Sequence, residues 1–275
     1  MNDGRLVSGS DDNSIIIYNE TTYEPDIIIK EHSSYICCVT QLSSGLLASC
    51  SNDKTIKLFN IKDFEYETIQ TLSYHTNRVY KIVEFKNELL ASCSLDSHIL
   101  FYYKDINNEY QKEYEIKVKG FCCSIIETKD NEICYSECVN STICFYDLSE
   151  RKFKTSISNL NKRNNETGCL IMISKDLLLI PGKNIITIVD VNHYKIARKI
   201  DVQGSDWITG VCMISQNMLL TGDYAGIIKQ WKLEGDNLIL ISQKKRAHDK
   251  EINYLLNIGN GLIASSSNDS SIKIW

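Results

Sequence analysis

With 275 residues, of which 43% are hydrophobic and 24% charged, the chain can bury a full core, which excludes an intrinsically disordered protein. The formal net charge of -5 provides no global basic field, so we expect no nucleic-acid partner. No apolar run reaches the roughly 18 residues of a spanning helix, so we expect no membrane insertion. The first residues, MNDGRLVSGSDD, lack the layout of a signal peptide. We therefore expect a cytoplasmic protein, with a nuclear location as the alternative.

The cysteines and histidines do not have the spacing of a metal site. The 11 cysteines contain no CxxC motif, and the 5 histidines form no HxH or HxxxH pair. Cysteines of this kind are typical of small buried hydrophobic side chains in a reducing compartment. We expect neither a metal ion nor a cofactor.

Taken in chain order, one segment recurs seven times. Most copies contain an apolar strand that ends in Ser or Thr, a polar turn, and a strand that ends in an aromatic residue. The anchor residues of the seven copies are Ser8, Ser49, Ser92, Ser136, Leu179, Thr221 and Ser265. Neighbouring anchors are 41 to 44 residues apart, and an isoleucine follows every anchor by seven residues. A fixed period of this length is typical of repeat folds.

Each copy has the polarity pattern of short strands. Apolar and polar residues alternate in short runs, separated by clusters of Asn, Asp, Gly and Ser. This pattern indicates antiparallel strands joined by hairpins. A helical period of 3.6 residues is not sustained, which excludes helical repeats of similar length. The sequence predicts an all-β chain with about four strands in each repeat.

Three copies carry an additional histidine at a fixed distance from two other residues. His32, His75 and His248 each precede an aspartate by 21 residues and an aromatic residue by 27. The three aspartates are Asp53, Asp96 and Asp269, and the three aromatic residues are Phe59, Tyr102 and Trp275. The repetition of both spacings makes these histidines far more informative than isolated ones.

The period, the histidine and the terminal aromatic residue resemble the WD-repeat (WD40) β-propeller proteins. The resemblance covers the whole chain and is strongest in residues 31–103 and 247–275. The departures are that EH, YH and AH replace the usual GH, and that most WD pairs are replaced. The resemblance implies a seven-bladed propeller of four-stranded antiparallel blades, forming a single domain over residues 1–275.

The resemblance also implies a buried hydrogen-bonded network of His, Ser, Asp and an aromatic residue within a blade. The expected members are His32, Ser49 and Asp53; His75, Ser92 and Asp96; and His248, Ser265, Asp269 and Trp275. Only the last set has all four residue types, and Phe59 has no donor. The alternative is a hydrolase-type triad, but a nucleophilic serine needs a solitary, reachable position. Because the trio recurs at strand positions, we interpret it as structural and expect no enzyme.

In WD-repeat proteins, partners usually dock where the innermost strands begin and where the turns precede the aspartates. The matching positions, which are the candidate partner-binding residues, are Trp207, Tyr224, Tyr35, Arg78, Leu95 and Glu251. Tyr, Trp and Arg are enriched among interface hot spots. We hypothesise an aromatic and basic patch; the alternative is that Trp207 and Tyr35 pack under neighbouring loops. A weaker candidate, for phosphate, is the polar stretch with Lys162 and Arg163.

The count of strands predicts an incomplete set. Seven central hairpins but only six connecting segments give 26 of the 28 strands of a seven-bladed propeller, so an innermost and an outermost strand are absent. Open strand edges are normally avoided. We therefore expect a fragment of a longer protein, with strand donation from flanking sequence or from a partner as the way to complete the blades.

The function that these features favour is a non-catalytic scaffold or adaptor that docks partner proteins or peptides on its loops. One alternative is a structural subunit of a large assembly, such as a coat, ciliary or trafficking complex. Another is a propeller enzyme or a glycan-binding module, although no convergent set of acidic, basic or metal-binding residues supports it. We expect protein partners and no small-molecule substrate.

Overall fold

The computed structural model describes residues 1–160, 169–202, 204, 206–235 and 237–275. These residues form 26 strands in seven antiparallel sheets. No helix among them is long and apolar enough to cross a bilayer. The chain forms two compact units, residues 1–125 and 126–275.

The first unit contains three sheets, with strand orders β1-β2-β3, β4-β5-β6-β7 and β8-β9-β10-β11. Each is a meander in which successive strands pair. The strands are β1 (Leu6–Gly9), β2 (Ile15–Tyr18), β3 (Pro25–Ile29), β4 (Ile36–Gln41), β5 (Leu47–Ser51), β6 (Ile56–Lys62), β7 (Glu65–Leu72), β8 (Val79–Glu84), β9 (Leu90–Ser94), β10 (His98–Lys104) and β11 (Tyr110–Lys117).

The second unit contains four sheets, with strand orders β12-β13-β14-β15, β16-β17-β18-β19, β20-β21-β22-β23 and β24-β25-β26. The strands are β12 (Ile125–Lys129), β13 (Glu132–Glu137), β14 (Thr142–Asp147), β15 (Lys152–Ile157), β16 (Ile171–Met172), β17 (Leu177–Pro181), β18 (Ile185–Asp190), β19 (Lys195–Asp201), β20 (Ile208–Ser215), β21 (Met218–Asp223), β22 (Ile228–Glu234), β23 (Asn237–Lys244), β24 (Ile252–Gly259), β25 (Leu262–Ser267) and β26 (Ser271–Ile274).

The predicted fold class is confirmed: the described chain is all-β, with seven successive antiparallel blades of the β-propeller type. Five sheets have four strands, and the first and last have three, in agreement with the strand count made from the sequence. The assignment of residues 1–275 to a single domain stays a prediction.

Burial follows the position of a strand within its sheet. The strands β5 and β9, which both have the sequence LASCS and are the second strands of their sheets, are buried along their whole length. The outer strands of the same two sheets, β7 and β11, are largely exposed. A strand that is covered on both faces consists mainly of apolar and small residues, whereas an outer strand tolerates charged side chains. Apolar cores lie between consecutive sheets within each unit.

The isoleucine seven residues after the anchor is buried in most repeats. Six of the seven are buried, namely Ile15, Ile56, Ile99, Ile143, Ile186 and Ile228. Full burial of an isoleucine side chain stabilises the fold by about 1.5–3 kcal/mol, which explains why the residue recurs at this position.

The central hairpins share a backbone conformation that the residue types do not reveal. The residue five after every anchor has a positive φ, between 46° and 74°. These residues are Asn13, Lys54, Ser97, Ser141, Asn184, Gly226 and Ser270. Such a residue closes a tight turn between two strands. Only one of the seven is glycine, because a side chain can occupy this conformation at a modest energetic cost.

A β-bulge recurs in the outer ladder of six sheets. In each, the register shifts between the residues nine and ten after the anchor, as at Leu58/Phe59 and Gln230/Trp231. A bulge places two residues of one strand opposite one residue of its neighbour and increases the local twist. The bulged strand is the outermost one in all six cases.

A buried carboxylate links two consecutive sheets of the second unit. Glu132, which is 2% exposed, accepts hydrogen bonds from Tyr194 Oη at 2.5 Å, Lys154 Nζ at 2.9 Å and Thr128 Oγ1 at 2.9 Å. Burial raises the pKa of Glu132, but these hydrogen bonds outweigh burial and hold its pKa below the usual value. A buried charge with this many partners is satisfied, so we interpret it as a structural connection.

Candidate partner-binding surface

The three spaced histidines lie in three networks of the same geometry. The Nδ1 to Asp Oδ2 distances are 2.8 Å for His32–Asp53, 2.7 Å for His75–Asp96 and 2.8 Å for His248–Asp269. In each network the Nε2 atom lies 2.7 Å from the serine Oγ of the anchor: Ser49, Ser92 or Ser265. Each aspartate also accepts the backbone N–H of the residue after the histidine.

The ionisation states fix the direction of the hydrogen bonds in the first two networks. Burial lowers the pKa of His32 and His75, and the nearby carboxylates only partly offset it, so both rings are neutral. Burial raises the pKa of Asp53 and Asp96, but their hydrogen bonds outweigh burial and hold the pKa below its usual value, so both carboxylates are ionised. A carboxylate only accepts, so Nδ1 carries the proton and Nε2 accepts the serine hydroxyl proton.

The terminal aromatic residue extends the network in more repeats than expected. Trp275 Nε1 donates to Ser265 Oγ at 2.8 Å, as the sequence predicts for the last repeat. In the third repeat, Tyr102 Oη lies 2.9 Å from Ser92 Oγ, so that network also has an aromatic member. Sequence reasoning missed this tyrosine, although its hydroxyl at the anchor-plus-ten position could have revealed it. The network of the second repeat ends at Ser49, because Phe59 has no polar atom.

The burial of the serines decides between a network and a catalytic triad. Ser49 and Ser92 are 0% exposed and Ser265 is 1% exposed. A nucleophile must be reached by its substrate, so these hydroxyls are not placed for catalysis. Within the described residues, no group of three or more His, Cys, Asp or Glu side chains is arranged to hold a metal ion.

The candidate docking residues are joined in pairs by backbone hydrogen bonds. In each pair the acceptor is the backbone carbonyl oxygen of the residue three positions after the histidine position. The donor is the backbone N–H of the turn residue that directly precedes the aspartate position. The four pairs are Tyr35–Asn52 at 2.9 Å, Arg78–Leu95 at 2.9 Å, Trp207–Tyr224 at 3.0 Å and Glu251–Asn268 at 3.1 Å. We call these eight residues the paired loop positions. Each of these bonds uses only backbone atoms, and in the Glu251–Asn268 pair Asn268 Nδ2 also donates to Glu251 Oε1 at 2.6 Å.

Exposure differs among the candidate residues. Tyr35 and Tyr224 are 46% and 45% exposed, so both side chains can be reached by a partner. Arg78, Leu95, Trp207 and Glu251 are half-buried. Trp207 is thus partly covered, whereas Tyr35 is open to solvent, and the binding role of these residues stays a prediction. Tyr35, Arg78 and Leu95 lie in the first unit; Trp207, Tyr224 and Glu251 lie in the second.

Arg78 has an environment that sequence reasoning missed. Its Nε donates to Cys37 Sγ at 3.2 Å, and its guanidinium lies over the Tyr80 ring at 5.0 Å from the centroid. The Tyr80 ring is itself stacked on Phe121, with centroids 5.9 Å apart. No spacing rule could have revealed the contacts with Cys37 and Phe121, since each joins side chains about 40 residues apart in the chain. The other basic candidates, Lys162 and Arg163, lie outside the described residues.

Comparison with known proteins agrees with this geometry. The family model "WD domain, G-beta repeat" matches residues 24–60 and 241–275. The chain is 25% identical, over 99% of its length, to the Arabidopsis thaliana protein "Transcriptional corepressor LEUNIG_HOMOLOG", of which it covers 34%. It is 26% identical, over 26% of its length, to "Ribosome biogenesis protein YTM1" of Vanderwaltozyma polyspora, of which it covers 15%. The chain thus spans about a third of the first relative's length.

Seven antiparallel blades with repeated buried His–Ser–Asp networks define a repeat protein of the β-propeller class. The matched segments 24–60 and 241–275 contain the networks of His32 and His248, and the similarity to the Arabidopsis protein extends over the rest of the chain. The repeats are WD repeats, and the fold is a WD-repeat β-propeller.

Proposed function

We propose that this chain is a non-catalytic scaffold or adaptor that docks partner proteins or peptides through the paired loop positions. The observation that supports this most directly is the recurrence of one backbone hydrogen bond in four repeats, with exposed tyrosines at two of the positions. Rigid backbone with variable, exposed side chains is the arrangement that binding loops need.

The chemistry of the paired loop positions supports protein partners. Tyrosine, tryptophan and arginine bury large areas on binding and lose little conformational freedom. The relatives are named for transcriptional corepression and ribosome biogenesis. We propose protein or peptide partners for this chain as well, and a location in the cytoplasm or, as the first relative's name favours, in the nucleus. A structural role in a larger assembly would use the same surface.

The test compares wild type with the Trp207→Ala/Tyr224→Ala double variant in affinity capture followed by mass spectrometry. Phe153→Ala is the matched control, because it removes an aromatic side chain that is 50% exposed on β15. We expect specific proteins to be retained by wild type and the control and lost from the double variant, with unchanged thermal unfolding. Each such protein is then tested in purified form.

Two results would contradict the proposal. If the double variant captures the same purified proteins with unchanged affinity, the paired loop positions of the second unit do not bind them. If the double variant fails to fold, these side chains are needed for stability and the proposal fails, as expected if Trp207 packs under a neighbouring loop.

A further inference from the structure

Arg78 is held in place by contacts that leave most of its hydrogen-bonding capacity unused. The Cys37 thiol occupies Nε, and the Tyr80 ring covers one face of the guanidinium. Among the described residues, the four N–H groups on Nη1 and Nη2 have no hydrogen-bond partner, and no carboxylate lies within ion-pair distance of this side chain. Arginine is charged at all working pH values, so this half-buried guanidinium has free donors and no direct ion-pair partner among the described residues.

The position of Arg78 makes it available to a partner. Arg78 is one of the paired loop positions, and its carbonyl holds the turn residue Leu95. Leu95 is a half-buried apolar residue in an otherwise polar turn. Phe121, stacked behind Tyr80, is also half-buried. The Tyr80 ring shields one side of the guanidinium, which weakens competition from water and strengthens a charge-assisted hydrogen bond, and Leu95 and Phe121 add apolar surface to the same region.

From this geometry we infer that Arg78 anchors an acidic peptide segment of a partner, through a carboxylate of Asp or Glu with an apolar residue next to it. The inference rests on the proposed function and names the chemistry of the partner. With Nε occupied, the Nη1 and Nη2 donors form the fork that matches the two oxygens of a carboxylate. Leu95 and Phe121 offer contact for the neighbouring apolar side chain.

The charge balance favours a carboxylate over a phosphate. A phosphate group carries about −1.5 to −2 charges and is typically bound by a cluster of arginines. Here one guanidinium is present, Asp11 exerts an attraction on it at longer range, and the whole chain has a net charge of -5. A second negative charge would be left without compensation.

The test uses a phage-displayed library of random 12-residue peptides, selected separately on wild type and on Arg78→Gln. We expect peptides selected on wild type to contain Asp or Glu beside Leu or an aromatic residue, and this feature to be absent from the Arg78→Gln selection. The best peptide is then synthesised with its acidic residue, with the matching amide, and with phosphoserine in its place. Binding is measured by fluorescence anisotropy.

Four proteins are compared with these peptides. We expect Arg78→Gln to weaken binding of the acidic peptide about tenfold or more, as for loss of hydrogen bonds to a charged group. Arg78→Lys keeps the charge without the planar fork and should lie between the two. Lys62→Gln, which removes an exposed charge at the far end of β6, should leave the affinity unchanged. The amide peptide should lose the same factor on wild type as the acidic peptide loses on Arg78→Gln.

Other outcomes overturn the inference and leave the proposed function separately testable. If the selected peptides lack acidic residues, or if Arg78→Gln binds them equally, Arg78 is not the anchor, although peptide docking itself would stand. If the phosphoserine peptide binds wild type more tightly than the acidic one, the partner chemistry is phosphate. If wild type selects no peptide, the inference fails, and the capture experiment with Trp207→Ala/Tyr224→Ala decides the proposed function alone.

Discussion

Truncation of the network aspartate should cost far more in a repeat that has the histidine than in one that lacks it. Asp96 accepts hydrogen bonds from His75 Nδ1 at 2.7 Å and from the backbone N–H groups of Thr76 and His98 at 3.0 Å. Its counterpart in the first repeat, which lacks the histidine, is Asp12, which accepts hydrogen bonds from the amide and hydroxyl of Ser14 and from the hydroxyl of Ser10. Asp12→Ala is therefore a matched control for loss of the turn bond alone.

The structure gives the size of the difference. The side chains of His75 and Asp96 are 1% and 5% exposed, so solvent cannot replace the lost partner. Asp96→Ala leaves the Nδ1–H group of a neutral ring buried and unpaired and also removes two backbone hydrogen bonds to a carboxylate, and together these losses should cost about 3–5 kcal/mol of unfolding free energy. Asp12 is exposed, and we expect Asp12→Ala to cost about 1 kcal/mol. The expected difference between the two variants is thus about 2–4 kcal/mol.

The assay is equilibrium unfolding in urea, followed by tryptophan fluorescence and circular dichroism. A double-mutant cycle with His75→Ala should show that the losses of unfolding free energy for the two substitutions are not additive. The reason is that His75→Ala removes the Nδ1–H group that Asp96→Ala has already left without a partner. Equal losses for Asp96→Ala and Asp12→Ala, or strict additivity in the cycle, would refute the assignment of a stabilising network.

Three further outcomes are expected. Burial lowers the pKa of His32 and His75, so below the unfolded histidine pKa of about 6.5 the unfolded chain binds more protons than the folded one, and stability should fall as the pH drops through that value. Urea unfolding from pH 7.5 to 5 measures this fall, and the dependence of stability on pH should be weaker in the His32→Gln/His75→Gln variant. Tyr194→Phe removes a donor from a buried carboxylate and should lower unfolding free energy by about 1–3 kcal/mol, with no loss meaning that the contact is dispensable. Gly226→Ala places a methyl group 2.1 Å from a backbone oxygen and should lower the free energy of unfolding by more than about 3 kcal/mol. Gly45→Ala, also at positive φ but in open space, should lower it by about 1 kcal/mol, and similar shifts in the thermal unfolding of the two variants would contradict this.

The parts of the structure that could be predicted depend on residue type at a fixed spacing. The contact of His75 with Asp96 is an example, since a hydrogen-bonded pair restricts both positions to few residues and the repeat fixes their separation at 21. The positive φ at Lys54 is the opposite case, because lysine tolerates the conformation without requiring it. The residue type at that position therefore carries no signal.

The contacts of Arg78 show a second limit of sequence reasoning. Cys37 and Phe121 come from segments about 40 residues away on either side of Arg78, and their approach depends on how consecutive sheets pack. The sequence indicated Cys37 only as a small hydrophobic residue, and it did not indicate Phe121 at all. Candidate positions could be found from the repeat, but their chemical surroundings required the three-dimensional structure.

The recurring bulge in the outer ladders has a consequence for self-association through exposed strand edges. Outer strand β23 exposes Ile239, Leu240 and Ile241 by 44%, 45% and 51%, and its residues 238–243 carry no charge. A flat strand of this composition would be a template for stacking of one molecule on the next. Ile241 is the residue that the register skips, and the bulge twists the strand out of the plane that such stacking needs. The outer strands β7 and β11 carry charged side chains that disfavour such stacking, whereas in β23 the bulged backbone is the feature that opposes it.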